Sequence, residues 1–355
     1  MEIRRLWPDK ISRDRQAWIK RLAQAGLRPE KNVDQVYGLY EGEDLIATGS
    51  IFHNIIKCVA VREDYQGGPG FNKLIGELLQ MIMHKGELKA YVYTKAQAAP
   101  AFAHLGFREI SRVQDRLVFM ERAMKGIADF LKDLKAQAQL ADKRTSPSSD
   151  RPESVAAIVL NANPLTLGHM ALIDQARQAC STLHVFVVAE DRSAFPAADR
   201  LALVKEAVAA WPQVQVHSTG PYLVSAATFP SYFLPENEDI TRVQARLDAQ
   251  IFRRYFAPSL GITSRWVGEE PLSPSTQIYN QVMAEVFQEE APYPPLKLEV
   301  IPRTEQDGQP ISASQVRQYL AQGELDQALA LVPPVTQKYL QSPQGQTIIQ
   351  KLQSV

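Results

Sequence analysis

A polar stretch near the middle of the chain separates two parts with different hydrophobic patterns. The stretch, ADKRTSPSSDRPES at residues 141–154, is rich in Ser, Pro, Asp and Arg and has no large apolar side chain to bury. It follows a predicted amphipathic helix that begins at Gly126. With 355 residues the chain is long enough for two domains of ordinary size. The sequence predicts a first domain at residues 1–125, a helix and linker at 126–154, and a second domain at 155–355.

Composition narrows the class of protein. Lys and Arg together number 39, as do Asp and Glu, so there is no basic excess with which to coat a nucleic-acid backbone. Cys58 and Cys180 are too few for a disulfide framework, and no spacing typical of a protein-built metal site occurs. The charged N-terminus and the short apolar runs predict neither a secretion signal nor a membrane span. We therefore expect a cytoplasmic protein without a nucleic-acid or membrane partner.

The first part has the pattern of a compact α+β domain. Its predicted strands are 36–40, 45–52, 57–61, 91–94 and 117–121, and its predicted helices are 71–84 and 100–105. A glycine turn, Gly67, Gly68 and Gly70, precedes the first of these helices and suits an anion. Pro69 interrupts this turn and removes one backbone amide that would bind phosphate.

The second part alternates buried strands with helices, which is typical of a doubly wound parallel sheet. The predicted strands are 155–160, 183–189, 214–217, 264–267 and 298–301, and the first two helices are 168–179 and 198–210. The fold class predicted for the chain is therefore α/β, with an α+β domain followed by a doubly wound domain. Such sheets bind ligands at the carboxyl ends of their strands, so the loops there are the places to look for a site.

The loop after the first of these strands holds the clearest chemical motif, NANPLTLGH from Asn161. Gly168 lets a triphosphate approach backbone amides at a helix N-terminus, which favours anions. Thr166 and His169 can stabilise charge on a phosphorus atom under attack. We predict Thr166 and His169 to be catalytic. The predicted nucleotide-binding residues of this loop are Asn161, Asn163, Pro164 and Gly168.

Two further loops add candidate residues. ISASQVR, from Ile311, opens a predicted helix, and its Ser312, Ser314 and Arg317 form a second phosphate-binding group of hydroxyls, amides and a guanidinium. Arg317 is predicted to be catalytic and the two serines to bind nucleotide, although a serine cap alone is more often structural. Gly268 and Glu269 follow another strand of the parallel sheet and are predicted to contact the nucleotide.

Together the two motifs resemble those of the nucleotidyltransferase superfamily, whose first motif has the form His/Thr-x-Gly-His and whose second starts a helix with Ile-Ser-x-Ser/Thr-x-x-Arg. Longer segments resemble the bacterial citrate lyase ligases; they are NANPLTLGH, GPYLVSAATFPSYFLPE, RVQARLDAQIF, RWVGEEPLSPSTQIYNQVM and IPRTEQDGQPISASQVR. The resemblance implies a Rossmann-like nucleotidyltransferase domain that uses ATP, with Mg²⁺ arriving on the nucleotide. It also implies acetate as substrate, acetyl-adenylate as intermediate, and release of AMP and pyrophosphate. The acceptor would be the thiol of the coenzyme A-derived prosthetic group on the acyl carrier subunit of citrate lyase, the enzyme activated in citrate fermentation.

The same resemblance covers the first domain, because that family carries an N-terminal domain similar to the GNAT acetyltransferases. Here VREDYQGGPGFNKLIGELLQMI is similar to their pyrophosphate-binding turn and helix, and YTKAQAAPAFAHLGF, which ends with Gly106 and Phe107, to the following strand, helix and strand. Pro69 and Ala98 depart from the pattern of these folds. Two interpretations stay open, a scaffold and a site for a coenzyme A-like group.

Two other functions are compatible with the same motifs. One is an adenylyltransferase that makes a cofactor, since its chemistry also releases pyrophosphate from ATP. The other is a non-catalytic protein that binds acetyl-coenzyme A. The extra domain and the GPYLVSAATFPSYFLPE segment count against the first, and the intact Thr166, Gly168, His169 and Ser312 against the second.

Overall fold

A computed structural model gives the fold of the chain. It describes residues 1–30, 32–66, 68–142, 154–189, 193–223, 229, 231–234, 239–269, 274–306 and 309–354. Gly67 of the predicted glycine turn and residues 143–153 of the predicted linker lie outside this set. The chain divides into two compact units: the first holds Met1–Phe130 and Phe229–Val243, and the second holds Leu131–Thr228 and Gln244–Val355.

The first unit is built on one mixed sheet. Its elements are β1 (Glu2–Leu6), α1 (Ser12–Gln24), β2 (Gln35–Glu41), β3 (Asp44–Phe52), β4 (Ile55–Val61), α2 (Pro69–His84), β5 (Lys89–Thr94), α3 (Ala99–His104), β6 (Arg108–Val113) and β7 (Leu117–Ala123). The strand order is β1-β2-β3-β4-β5-β7-β6. All neighbours are antiparallel except β4 and β5, which are parallel and pair only at Ile55 with Tyr91 and Ile56 with Val92. The predicted strands and helices of this part are confirmed, each with small shifts at its ends.

The edge strand β1 and the helix α1 were not predicted. The strand β1 buries only Leu6, and α1 buries only Trp18 and Leu22, so neither shows a strong apolar periodicity in the sequence. The strand that the resemblance implies after Phe107 is β6, which pairs with β7. After them comes α4 (Ile127–Asp142), the predicted amphipathic helix.

Residues 229–243 belong to the first unit although they follow a strand of the second unit in the chain. The ring of Phe229 packs edge-on against Tyr93 of β5, with 6.2 Å between centroids. The backbone N–H of Arg28 donates to the carbonyl of Tyr232 at 2.9 Å, and the Arg28 guanidinium donates to the carbonyl of Ser231 at 2.7 Å. Aromatic burial and hydrogen bonds therefore hold Phe229, Ser231 and Tyr232 within the first unit.

The second unit is a doubly wound α/β domain. Its elements are β8 (Val155–Leu160), α5 (Leu167–Gln178), β9 (Thr182–Val187), α6 (Ala197–Ala207), β10 (Val214–Ser218), α7 (Ile240–Ile251), α8 (Ala257–Leu260), β11 (Ser264–Gly268), α9 (Pro274–Gln288), β12 (Lys297–Ile301), β13 (Glu305–Gln306), β14 (Gln309–Pro310), α10 (Ala313–Gln322), α11 (Leu325–Ala330), α12 (Pro334–Gln341) and α13 (Pro343–Gln353). Five strands form a wholly parallel sheet in the order β10-β9-β8-β11-β12. From β8 the chain continues outward to β9 and β10 on one side of the sheet, and then returns to add β11 and β12 on the other side of β8. The direction of winding therefore reverses between β8 and β11.

Two apolar clusters hold this unit together. One lies on the sheet, where Ile158 and Val185 pack with Ile173 of α5. The other joins the C-terminal helices and includes Ile311 and Val316 at the start of α10. The second cluster therefore anchors the helix that carries the second motif.

A pair of buried histidines links β9 and β10. His184 Nδ1 and His217 Nε2 lie 3.0 Å apart, and both side chains are almost fully buried. Burial lowers the pKa of both rings. The neighbouring His217 lowers the pKa of His184 further, and the positive charge of Lys205 lowers the pKa of His217 further. Both rings are therefore neutral at pH 7, with one nitrogen of the pair donating to the other.

This pair predicts a loss of stability in mild acid. Since the folded pKa of each ring is below its unfolded value near 6.5, the stabilisation is complete above that pH and is lost as the pH falls. Urea unfolding at a series of pH values from 7 to about 4 should show a smaller free energy of unfolding at each step, and the variant His184→Asn/His217→Gln should show a shallower fall. His104→Gln, at an exposed position, is the control; an identical slope in all three proteins would contradict the assignment.

Candidate active site

A cavity of about 270 Å³ opens at the carboxyl edge of the parallel sheet. The ends of β8, β11 and β12 border it, so it lies where the winding reverses and where such sheets bind ligands. Of the eleven residues predicted from the sequence, six line this cavity: Asn161, Thr166, Gly168, His169, Gly268 and Glu269. The other five, Asn163, Pro164, Ser312, Ser314 and Arg317, do not line it.

Thr166 and His169 form a closed hydrogen-bonded pair at the start of α5. Thr166 is the N-cap residue, and its Oγ1 accepts from the backbone N–H of His169 at 3.4 Å. In return, His169 Nδ1 accepts from the backbone N–H of Thr166 at 3.1 Å and lies 2.8 Å from Thr166 Oγ1. Because a backbone amide only donates, Nδ1 carries no proton and the neutral ring is protonated at Nε2. The cap thus fixes the tautomer of a histidine that lines the cavity.

The protonation state of His169 follows from its surroundings. Burial lowers its pKa to about 4, and the positive charge of Arg303 acts in the same direction. At neutral pH the ring is therefore an uncharged donor at Nε2. Such a donor can hydrogen bond to a phosphoryl oxygen without adding a full positive charge.

Gly168 brings the two predicted motifs into contact. A Cβ atom at this position would lie 3.1 Å from the carbonyl oxygen of Ile311 and 3.6 Å from Thr166 Oγ1. Only glycine accommodates this approach without a shift of backbone. The start of α5 therefore closely approaches the main chain of Ile311, which precedes the N-cap residue of α10.

The second motif holds the first motif in place. Ser312 is the N-cap residue of α10, where its Oγ accepts from the backbone N–H of Gln315 at 3.0 Å. Arg317 donates to the carbonyl oxygen of Asn163 at 2.5 Å and to Ser314 Oγ at 3.0 Å. The guanidinium thus contacts protein atoms in this structure, and its contact with pyrophosphate stays a prediction.

A buried arginine that sequence reasoning missed organises the loop after β8. Arg200 of α6 is fully buried and donates to both the carbonyl oxygen and Oδ1 of Asn161 at 2.7 Å, and to the carbonyl of Val188 at 2.8 Å. The side chain of Asn163 accepts from the backbone N–H of Phe195 at 3.0 Å. In the sequence Arg200 gives no signal, because one arginine in an amphipathic helix is typical of a solvent-facing side.

Two more basic residues line the cavity and were not singled out. Arg303, just after β12, donates through Nε to the carbonyl of Ile311 at 3.3 Å. Arg265 of β11 forms a buried ion pair with Asp248 at 3.3 Å. Tyr279 also lines the cavity; burial raises its pKa well above the usual range, and the nearby Asp248 carboxylate adds to this. These groups lie far apart in the chain, so only the fold could reveal that they meet.

Gly268 and Glu269 end β11 at the rim of the cavity. The backbone N–H of Glu269 donates to the carbonyl of Ile301 at 2.8 Å, and Asn280 Nδ2 donates to the carbonyl of Gly268 at 3.3 Å. Among the described lining residues Glu269 is the one carboxylate.

No group of three or more His, Cys, Asp or Glu side chains suited to a metal ion occurs within the ranges that the structure describes. In those same ranges, no helix has the length and hydropathy needed to cross a membrane.

The contacts of Arg317 predict a structural cost when it is replaced. Arg317→Met keeps the length of the side chain but removes the bond to the Asn163 carbonyl, which should lower the free energy of unfolding by about 1 to 3 kcal/mol. Urea denaturation of the full chain measures this. Lys338→Met, at an exposed position of α12, is the matched control. Equal stability of the two variants would show that the bond does not hold the loop.

The family model and the curated relatives that match this chain point to the same family. Residues 155–340, more than half of the chain, match the model of the citrate lyase ligase C-terminal domain. The chain is 38% identical over 324 residues to a protein named [citrate [pro-3S]-lyase] ligase of Escherichia coli K12, covering 90% of this chain and 88% of that protein. A protein of the same name from Klebsiella pneumoniae is 37% identical over 296 residues, with 83% of each chain covered. The solved structure of an acyl-CoA N-acyltransferase from Pseudomonas aeruginosa aligns with 34% of this chain and 99% of its own at 14% identity and a TM-score of 0.30.

Proposed function

The chain belongs to the citrate lyase ligase family, and we propose that it acetylates the thiol of the coenzyme A-derived group on the acyl carrier subunit of citrate lyase, using ATP. The names of its relatives supply the ligase activity and the citrate lyase partner. The observation that carries the nucleotide part is the neutral His169 at the start of α5, held in one tautomer at the edge of the cavity.

The reaction divides into two transfers. A carboxylate oxygen of acetate attacks the α-phosphorus of ATP, the bond to the β-phosphate bridging oxygen breaks, and pyrophosphate leaves. The thiolate of the carrier's prosthetic group then attacks the acetyl carbonyl carbon, and AMP leaves with the shared electron pair. Because adenylation replaces a poor leaving group by a good one, no nucleophile of the enzyme is needed.

The cavity fits the first transfer. The Nε2–H of His169 and the backbone N–H of Gly168 donate toward anionic oxygens, and Arg303 adds positive charge at the same edge. The N–H groups of Leu167 and His169 already donate to the Leu331 carbonyl and to Thr166 Oγ1. Glu269 at the rim suits a ribose hydroxyl or a hydrated Mg²⁺ ion that arrives with the nucleotide. Ser312, Ser314 and Arg317 act from the start of α10, where we assign them to the departing pyrophosphate and to the position of the loop that contains Asn163.

Acetate-dependent exchange of labelled pyrophosphate into ATP tests this function without the carrier. We expect exchange only when acetate is present, and a mass increase of one acetyl group on the holo-carrier when it is added. Exchange that requires a nucleotide or pantetheine phosphate instead of acetate would favour a cofactor-synthesising adenylyltransferase. No exchange with any acid would exclude adenylate chemistry.

His169→Ala removes the Nε2–H donor and should lower acetate-dependent exchange by about 100-fold, in line with the loss of one transition-state donor. The thermal midpoint should fall modestly, because the ring also accepts from the backbone N–H of Thr166. The fold should persist, since Thr166 Oγ1 still caps α5. His84→Ala, at an exposed position of α2, is the matched control. Near-normal exchange in His169→Ala would remove His169 from the mechanism.

The lowered pKa of His169 also predicts the pH profile. A ring with a pKa of about 4 stays neutral through the whole range in which an unperturbed histidine titrates. The rate of exchange should therefore show no inflection near pH 6.5 that belongs to His169. An inflection there that disappears in His169→Ala would show that the ring is cationic in part of this range.

A further inference from the structure

The first unit carries a groove with a concentration of positive charge. It has a volume of about 370 Å³ and lies between β1, α1 and the turn that joins β2 to β3. Its lining, which we call the arginine groove, contains six basic side chains, Arg4, Arg5, Arg13, Lys20, Arg21 and Arg62, and three acidic ones, Asp14, Glu43 and Asp44. Arg4 pairs with Glu2 at 2.9 Å and Arg13 with Glu43 at 3.7 Å, so part of this charge is balanced locally. Six cations against three lining carboxylates still leave a positive excess, in a chain whose net charge is zero, and such a surface suits an anionic partner.

Two guanidinium groups are fixed beside each other at one end of the groove. Arg21 donates through Nε and Nη2 to the carbonyl of Leu45 at 3.1 and 2.8 Å, which holds its side chain in place. Arg62 is held by Asp64 at 2.7 Å. Burial lowers the pKa of Arg21, and the positive charge of Arg62 lowers it further. The fold thus keeps two guanidinium groups side by side, and the carboxylates of Asp64 and Asp44 offset part of their repulsion.

An exposed tryptophan contacts two residues that line the groove. Trp7 is 37% exposed, and the Arg5 guanidinium lies 3.8 Å from the centroid of its ring. The ammonium of Lys10 lies 5.2 Å from the same ring, and the Trp7 backbone N–H donates to Asp14 at 2.8 Å. Tryptophan and arginine are the side chains most enriched at the energetic centres of protein interfaces.

The same lining distinguishes between classes of partner. A free phosphate needs a few convergent donors, whereas these cations are spread over β1, α1 and the residue after β4. Three carboxylates among the cations would repel the continuous phosphates of a nucleic acid. A protein surface with scattered carboxylates can pair with the arginines of the groove and accept hydrogen bonds from them. Because its carboxylates are scattered, they need not lie opposite the acidic side chains of the groove.

We propose that the arginine groove is the docking surface for an acidic face of the carrier protein that receives the acetyl group. This inference rests on the proposed function, which requires a protein acceptor. It assigns to the first unit the recognition of that protein, while adenylation belongs to the cavity of the second unit. Docking through exposed charges governs the association rate and the apparent affinity for the carrier.

The test reverses two exposed charges of the groove. In Arg13→Glu/Lys20→Glu, neither residue contacts the cavity of the second unit, and the Arg13 side chain is 86% exposed, so the fold should persist. We expect the KM for holo-carrier to rise by about tenfold or more with kcat nearly unchanged, while acetate-dependent pyrophosphate exchange without carrier stays at the wild-type rate. Arg108→Glu/Lys125→Glu makes the same change of charge at exposed positions outside the groove and should leave all three quantities unchanged.

Direct binding separates a failure of docking from a failure of the proposed function. Calorimetry of wild-type enzyme with holo-carrier at low and at moderate salt should show binding that salt weakens, and the groove variant should bind about tenfold more weakly at low salt. Binding that the variant retains, an equal loss in the control, or a fall in carrier-free exchange would overturn the assignment of the groove. Tighter binding of an RNA oligonucleotide than of the carrier would also overturn it. Absence of exchange in the wild-type protein would instead overturn the proposed function.

Discussion

The main-chain contact between Gly168 and Ile311 is the constraint on which the rest of the candidate site depends. It places the first turn of α5 beside the first turn of α10, so two helix N-termini open toward one place. Their partial positive charges repel each other weakly, and in the proposed reaction a polyphosphate between them would remove that cost. A side chain at residue 168 would separate the two ends by pushing on the Ile311 carbonyl. The glycine of the first motif is therefore needed for the distance between the two motifs as well as for access to backbone amides.

Buried cations give the loop after β8 its shape. The loop contains carbonyl groups that neither a strand nor a helix can satisfy, and Arg200 and Arg317 donate to those of Asn161 and Asn163. A buried carbonyl without a donor costs about 1 to 3 kcal/mol, so these guanidinium groups stabilise a conformation that the loop would otherwise leave. Arginine suits this role because its several donors reach more than one acceptor at fixed angles. The predicted catalytic residue Arg317 thus has a structural contact that any account of its chemistry must include.

The sequence predicted the framework of the fold well and the interior of the site only in part. Buried parallel strands are continuous apolar runs, and all five in the second unit were placed within two residues. The weakly apolar β1 and α1 gave no such signal, and the return of residues 229–243 to the first unit depends on contacts with Tyr93 and Arg28, more than 130 positions away. A motif shows that its residues act together, but it cannot show which of them face a ligand. Asn163 and Ser312 lie within motifs, yet their side chains bond to Phe195 and Gln315.

The neutral state of His169 gives a reason for a histidine, and not a permanent cation, at this position. A cation at this position would attract ATP and pyrophosphate strongly, which stabilises the ground state and the product along with the transition state. A neutral Nε2–H donor contributes most where negative charge increases during the attack, and it releases pyrophosphate more readily afterwards. Burial and the charge of Arg303 keep the ring neutral, and the cap by Thr166 keeps the proton on the nitrogen that can reach the cavity. In the proposed reaction the positive charge for the polyphosphate would come from Arg303 and from the two helix N-termini, so charge and proton donation would be supplied by separate groups.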